Sequence, residues 1–239
     1  MKVKNRLLDT DFIIYQDDDW FMFSLDSVLL SKFVTINLRH KKIIDLATGN
    51  APIPLLLSFR TKNDIYGVEF QECIYELGQQ SIMDNNKSGQ IHLICDDVNN
   101  LKNRFNSDSF DVVTCNPPYF KTKNSEFLND NDVKTLARHE VTLRLEDVLK
   151  NASYLLKSGG NFAMVHRTER FVEIIEKMKK YNLEPKRVQF IYPKCGRDSD
   201  LFLIEGIKNG NSGLKLLSPL VVHNDDNTYT EEVLEILKF

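Results

Sequence analysis

The chain has 239 residues, 42% of them hydrophobic, and a formal net charge of −3, so it can bury a sizeable core and does not coat nucleic acid by charge alone. No stretch is long and apolar enough to span a bilayer, and the start Met1-Lys2-Val3-Lys4-Asn5-Arg6 lacks the apolar segment of a signal peptide, which implies a cytoplasmic protein of one main domain. Cys73, Cys95, Cys115 and Cys195 have no paired spacing and read as buried thiols, and His40, His92, His139, His166 and His223 show no ligand spacing, so neither disulfides nor a metal site is expected.

In chain order, Trp20-Phe21-Met22-Phe23 is an apolar run suited to packing over a sheet edge, and Ser24 can cap a helix from Asp26 to Val34. Lys41 to Asp45 reads as a strand with a basic start. Leu46-Ala47-Thr48-Gly49-Asn50-Ala51-Pro52 then turns tightly into a helix over Ile53 to Phe59. Pro52 suits the first turn of that helix, where its missing N–H has no intrahelical partner to lose. Because alanine tolerates positive φ poorly, Ala47 is expected at negative φ while Gly49 makes the close approach. The strand Ile65 to Glu69 ends in a carboxylate, at a position that accepts ribose hydroxyls in nucleoside-binding sheets. Ile91 to Cys95 leads into Asp96-Asp97, where a carboxylate can meet an adenine amine. Taken singly, Glu69 and Asp96 read equally well as a solvated loop acid or a helix N-cap.

A fourth strand, Phe110 to Cys115, delivers Asn116-Pro117-Pro118-Tyr119. Two prolines fix φ and surrender their N–H donors, so the turn is stiff and offers oxygen acceptors beside an aromatic ring. Accepting both hydrogens of an exocyclic amine such as adenine N6 pushes that nitrogen towards a tetrahedral, nucleophilic geometry. Asn116 Oδ1 and the Pro117 carbonyl are the candidate acceptors, and Tyr119 would stack on the base. The plain alternative is a tight turn with a surface tyrosine. Lys121 to Val133 is a polar loop, read either as a lid that closes over a base or as a linker. A helix over Asp147 to Leu156 stops at Lys157-Ser158-Gly159-Gly160, whose glycines suit a turn into the strand Asn161 to Val165. Another helix, Glu169 to Lys180, precedes the strands Val188 to Tyr192 and Leu201 to Glu205, and Thr230 to Phe239 reads as a short amphipathic helix. Arg167 to Arg197 has a local basic excess that fits either an RNA backbone or a solvated helix face, with Glu173 and Lys177 as an i,i+4 pair. The basic start Lys2, Lys4 and Arg6 reads either as RNA-contacting or as a flexible terminus.

Asp45-Leu46-Ala47-Thr48-Gly49-Asn50-Ala51, with Glu69, Asp96 and Asn116-Pro117-Pro118-Tyr119, resembles the motif set of class I S-adenosylmethionine-dependent methyltransferases with an amino-methylating Asn-Pro-Pro-Tyr turn. Phe23-Ser24-Leu25-Asp26-Ser27-Val28-Leu29-Leu30 and Ala137-Arg138-His139-Glu140 are similar, more narrowly, to segments of bacterial tRNA1(Val) adenine-37 N6-methyltransferases. The resemblance implies an α/β, Rossmann-like, doubly wound sheet of seven mostly parallel strands with an antiparallel C-terminal strand. Residues 1–40 would form a cap, 41–207 the core and 208–239 a tail. It also implies S-adenosylmethionine as cofactor, contacted by Phe23, Asp26, Asp45, Ala47, Gly49, Glu69, Asp96, Asp97 and Asn116. Asn116, Pro117 and Tyr119 would carry the chemistry, and Tyr119, Lys121, Arg138 and His139 would bind the tRNA anticodon stem-loop, with the protein a monomer. The chain departs from the family in carrying alanine at Ala47 and Ala51. That departure argues against a pyrophosphate-binding site, whereas a sulfonium cofactor has no phosphate to cradle.

The chemistry implied is direct methyl transfer to an unstacked or extruded adenine amine. The same turn would also serve a glutamine amide of a release factor or guanine N2 of ribosomal RNA. The release-factor relatives carry an N-terminal helical domain, for which little chain precedes Asp45. A non-catalytic cofactor- or RNA-binding module is the reading from another class.

Overall fold

The computed structural model describes residues 2–8, 10–17, 24–117 and 143–239. Trp20 to Phe23, Pro118, Tyr119, Lys121 to Val133 and Arg138-His139-Glu140 lie outside them. A hairpin of β1 (Lys2–Arg6) and β2 (Ile13–Asp17) and helix α1 (Leu25–Phe33) precede β3 (Lys42–Leu46), α2 (Pro52–Arg60), β4 (Asp64–Glu69), α3 (Glu72–Asp84), β5 (Ile91–Cys95), a 3-10 helix over Val98–Asn103, and β6 (Phe110–Cys115). From α4 (Leu145–Leu155) the chain continues through β7 (Leu156–Arg167), α5 (Phe171–Lys180), β8 (Leu183–Lys194), β9 (Leu201–Lys208), β10 (Lys215–Leu216), β11 (Leu220–His223) and α6 (Glu231–Ile236).

The main sheet runs β10-β8-β9-β7-β6-β3-β4-β5, with β11 also paired to β8. β9 is antiparallel to both of its neighbours, β7 and β8, and the other pairs are parallel. The expected seven strands form the body, and β10 and β11 extend it to nine. Central strands are apolar on both faces because both are covered. Ile43 and Ile44 illustrate this: Ile43 packs with α1, α2 and the hairpin, whereas Ile44 packs with α4, α5 and the 3-10 helix. On the second face Tyr66, Phe105 and Phe110 meet edge to face with centroids 5.0 to 5.5 Å apart, a geometry that places ring edges against π faces.

Several local expectations are corrected. Lys157 to Gly160 is not a connecting turn. β7 begins at Leu156, directly after α4, and the register jumps from Phe110–Leu156 to Val112–Asn161, so these residues bulge out of the ladder. Gly159 supplies the positive φ of +81° that such a bulge requires. The basic N-terminus is a strand, docked through β2, where the Tyr15 N–H donates to Ser81 Oγ at 2.9 Å and the Ile13 N–H to Asn85 Oδ1 at 2.8 Å. Ser24 sits at the N-cap of α1 without a side-chain cap bond. Of the cysteines only Cys115 is buried; Cys73, Cys95 and Cys195 are exposed. The tail helix is present as α6, capped by Thr230 and packed through Val233.

Candidate active site

From β3 the chain winds outward through β4 and β5, then returns to β6 on the other side of β3. That reversal opens a crevice at the carboxyl ends of the strands, where ligands bind in open α/β sheets. Asn116, Asp45, Glu69 and Asp96 stand at or just beyond the ends of four adjacent strands, β6, β3, β4 and β5. Three spacings of about 4.8 Å make a row about 14 Å long, enough for a nucleoside with a chain attached to its ribose.

Asp45 is fully buried and faces Thr114 on β6, from whose Oγ1 it accepts a hydrogen bond at 2.6 Å; Thr48 Oγ1 donates to its other oxygen at 2.7 Å. Burial dominates these two favourable bonds and pushes its pKa up to about 7, with the neighbouring Glu69 charge adding to the rise. Glu69, also buried, accepts the Gly49 N–H and the Gln71 N–H at 2.9 Å each, one on each carboxylate oxygen. Its pKa is raised, again chiefly by burial. The loop between β3 and α2 is thus tied to both acids.

That loop takes a form the composition argued against. Ala47 has φ +54°, not a negative value, and Ala51 has φ +70°, alongside Gly49 at +60°. The loop closes through Thr48 N–H to the Val68 carbonyl at 2.9 Å and Ala51 N–H to the Thr48 carbonyl at 3.1 Å, and these bonds hold both alanines in the left-handed region despite its cost. A Cβ added at Gly49 would meet nothing within 4 Å, so the space over this turn is open to a ligand. α2 starts with Pro52 and carries Pro54 in its first turn, which strips N–H donors from the end that would cradle a phosphate.

At the β5 end the two acids separate in role. Asp96 accepts from Asn100 Nδ2 at 2.9 Å, from the Asp97 N–H at 2.8 Å and from Arg104 Nε at 2.5 Å, and its pKa is lowered chiefly by the bonds from Asn100 and Arg104. Asp97 caps the 3-10 helix by accepting the Asn99 N–H at 2.8 Å, a structural use of its side chain that accounts for it without a ligand.

Asn116 is half-buried and Pro117 buried at the end of β6. The Asn116 Nδ2 donates to Ser27 Oγ on α1 at 3.1 Å. Asp26 precedes Ser27 in the first turn of α1 and is half-buried. Phe23, Tyr119, Lys121, Arg138 and His139 lie outside the described residues. Residue patterns did not single out Ser27, Thr114 or Phe70. The first two become visible only through strand register and helix docking. Phe70 carries a local signal, a large apolar residue directly after Glu69, and is 54% exposed at the rim.

Four of the nine cations between Arg167 and Arg197 pair with acids within the fold. Arg170 pairs with Glu173 at 2.9 Å, Lys177 with Glu173 at 3.7 Å and Glu146 at 3.5 Å, Lys180 with Glu146 at 2.5 Å, and Arg187 with buried Glu205. The bonds from Lys180 and Tyr181 hold Glu146 down at about 2. Among the described residues no helix is long and apolar enough to cross a membrane, and no group of three or more His, Cys, Asp or Glu is placed to hold a metal ion.

Solved structures share this architecture. A predicted O-methyltransferase from Agrobacterium tumefaciens superposes with a TM-score of 0.71 at 21% identity, covering 89% of this chain and 95% of that one. Geranyl diphosphate methyltransferase, solved with geranyl diphosphate and sinefungin, gives 0.56 at 12% identity over 76% of each chain. Both likenesses concern the fold alone. Among curated proteins, the tRNA1(Val) (adenine(37)-N6)-methyltransferase of Bacteroides fragilis is 24% identical over 95% of this chain and 93% of its own length. The protein of that name from Haemophilus influenzae is 25% identical over 98% and 97%. The sequence profile of a family described as a methyltransferase domain matches residues 37–230. Since that match takes in all four strand ends that build the cleft, the chain belongs to this methyltransferase family.

Proposed function

We propose that this methyltransferase transfers a methyl group from S-adenosylmethionine to the N6 amine of an adenine in tRNA, at position 37 of tRNA1(Val) beside the anticodon. The observation that carries the proposal is the Asn116-Pro117 corner at the end of β6, one strand away from the buried Asp45, in a chain similar along nearly its whole length to enzymes of that name. When bound, S-adenosylmethionine supplies an electrophilic methyl on a positively charged sulfur.

The residues present suit that cofactor. Open space over Gly49, two buried acids and a helix start poor in donors favour a cationic nucleoside over a phosphorylated one. Glu69 accepts the Gly49 and Gln71 N–H groups, with the Phe70 N–H and the Gln71 side chain also bonding to it, which fixes its carboxylate at the strand end where ribose hydroxyls would meet it. Asp45 is assigned the cationic end, Asp96 the adenine amine, and Phe23 and Asp26 the flank of the pocket. Asn116 Oδ1 and the Pro117 carbonyl accept the two amine hydrogens of the target base, and Tyr119 stacks on it. Positioning supplies much of the rate. The alkylated nitrogen is acidic enough to need no strong base. Lys121, Arg138 and His139 hold the anticodon stem-loop, and the enzyme works as a cytoplasmic monomer.

The test is incubation with labelled S-adenosylmethionine and separate pools of single tRNA transcripts, ribosomal RNA and release factor, followed by nucleoside and peptide mapping. Label is expected as N6-methyladenosine in tRNA1(Val). Label in N2-methylguanine or in a release-factor glutamine would overturn the substrate assignment.

A further inference from the structure

We propose that Ser27 is a positioning residue for methyl transfer, setting the side-chain torsion of Asn116 from helix α1. Resting on the amino-methylating role given to Asn116 above, the proposal deepens it.

Helix α1 is rigidly seated. Val28 and Leu30 are fully buried and Leu29 nearly so. Just past its end, the Thr35 N–H and Oγ1 both donate to Glu205 Oε2 at 3.1 Å, and Arg60 Nη2 donates to the Val34 carbonyl at 2.9 Å. Glu205 in turn holds Arg187 and Asn161, so the segment is bolted to β7, β8 and β9. Ser27 lies in the first turn of this fixed helix and is 4% exposed.

Asn116 follows β6 and has left the ladder, so the strand's hydrogen bonds do not set its side-chain torsion. An asparagine amide presents two donors at one end and two acceptor lone pairs at the other, and its χ2 well is broad. A free amide would therefore sample orientations that offer N–H to the target amine, which repels rather than accepts its hydrogens. With Nδ2 bound to Ser27 Oγ at 3.1 Å, the donor end of the amide is turned to α1, which aims the oxygen end the other way. Catalytic acceptors have to be held within about 0.5 Å and 10–20° of the productive geometry, and a tether to a buried helix does this where the backbone cannot.

The experiment uses the full chain with Ser27→Ala, Ser27→Thr, Asn116→Ala and the double variant. Loss of one orienting hydrogen bond, by Ser27→Ala, is expected to lower kcat about tenfold. KM for tRNA and Kd for the cofactor are expected to stay within about twofold, and Ser27→Thr, which keeps the hydroxyl, to restore most of the loss. In the Asn116→Ala background, Ser27→Ala is expected to have no further effect, as for two members of one unit. A second readout is independent of substrate: the Asn116 side-chain NH2 resonance, identified by its loss in Asn116→Asp, shifts in Ser27→Ala and returns in Ser27→Thr. An unchanged resonance, or a Ser27→Ala loss that persists undiminished in the Asn116→Ala background, overturns the proposal. Absence of tRNA methylation by the wild-type chain would sink the substrate reading instead, and the resonance still decides the role of Ser27.

Discussion

Two residues carry single-site predictions that depend on backbone and amide geometry. Asn116→Ala removes an acceptor used only when the amine is being alkylated, so turnover should fall on the order of 10²-fold, the scale of deleting one preorganised polar group in a transition state. Cofactor affinity, which the proposed reading assigns to Asp45 and Glu69 on other strands, should be nearly unchanged; comparing single-turnover rates with equilibrium cofactor titration separates the two. At Ala47 the left-handed φ of +54° costs an L-residue about 1–2 kcal/mol, part of which Ala47→Gly recovers and part of which the freer unfolded chain cancels. The net expectation is a Tm rise of about 2 °C, read by scanning calorimetry; a fall would mean that the loop is not strained there. This strain was illegible in the sequence, because alanine argues for negative φ and only the bonds of Thr48 and Ala51 to β4 and to the loop itself impose the opposite. Asn116, Asp45 and Glu69 were legible, since each closes an apolar run that has to be a strand. Ser27 was not, because nothing in a helical pattern says which side chain another element will touch.

Among elements, the parallel core was readable because strands covered on both faces are continuous apolar runs, as Phe110 to Cys115 shows. What escaped were β1, β2 and β10, which carry charged residues, and β11, which is four residues long; all four gain their order from docking rather than from pattern. The bulge at Lys157 to Gly160 escaped for a related reason: two glycines after a helix are a stop signal, and only the pairing of Phe110 with Leu156 reveals that the ladder has already begun. Gly67 on β4 has no room for a side chain. A Cβ there would lie 2.5 Å from Leu93 Cδ2 and 3.0 to 3.1 Å from the Thr48 side chain, the residue that donates to Asp45. Gly206 on β9 is equally crowded, with Met178 Cε at 2.6 Å and the Glu184 carbonyl oxygen at 2.9 Å, but belongs to strands remote from the crevice. Both alanine variants should lose about 1–3 kcal/mol of stability from overpacking, whereas only Gly67→Ala should also weaken cofactor binding. Equal loss of affinity in the two variants would show that the Thr48–Asp45 contact does not govern the pocket.

For the molecule as a whole, the cleft stores electrostatic cost that the rest of the fold supports, and proton linkage makes the cost measurable. Asp45 has its folded pKa raised from 3.8 to about 7, so between those values the folded chain holds a proton that the unfolded chain has released. Unfolding then releases a proton, and stability falls as pH rises across that window. Below about pH 4 both states are protonated and Asp45 contributes nothing; above about pH 7 both are ionised and the full penalty stands. At about 1.4 kcal/mol per unit that penalty is a few kcal/mol, and Glu69 is displaced in the same direction. Asp45→Asn removes the ionisation. The variant should therefore be more stable than the wild type at pH 8 in the absence of cofactor, with the gap closing towards pH 5. Surface acids such as Glu146, held low by Lys180, titrate identically in both proteins and cancel in the difference. A cationic cofactor reverses the ledger, because its charge favours the ionised carboxylate. Affinity for S-adenosylmethionine should accordingly rise from pH 6 to pH 8 in the wild type and stay flat in Asp45→Asn, while S-adenosylhomocysteine, which lacks the sulfonium charge, should show a smaller rise. Denaturant unfolding at the two pH values, with and without each ligand, tests the whole argument, and a stability gap that is the same at pH 5 and pH 8 would refute it.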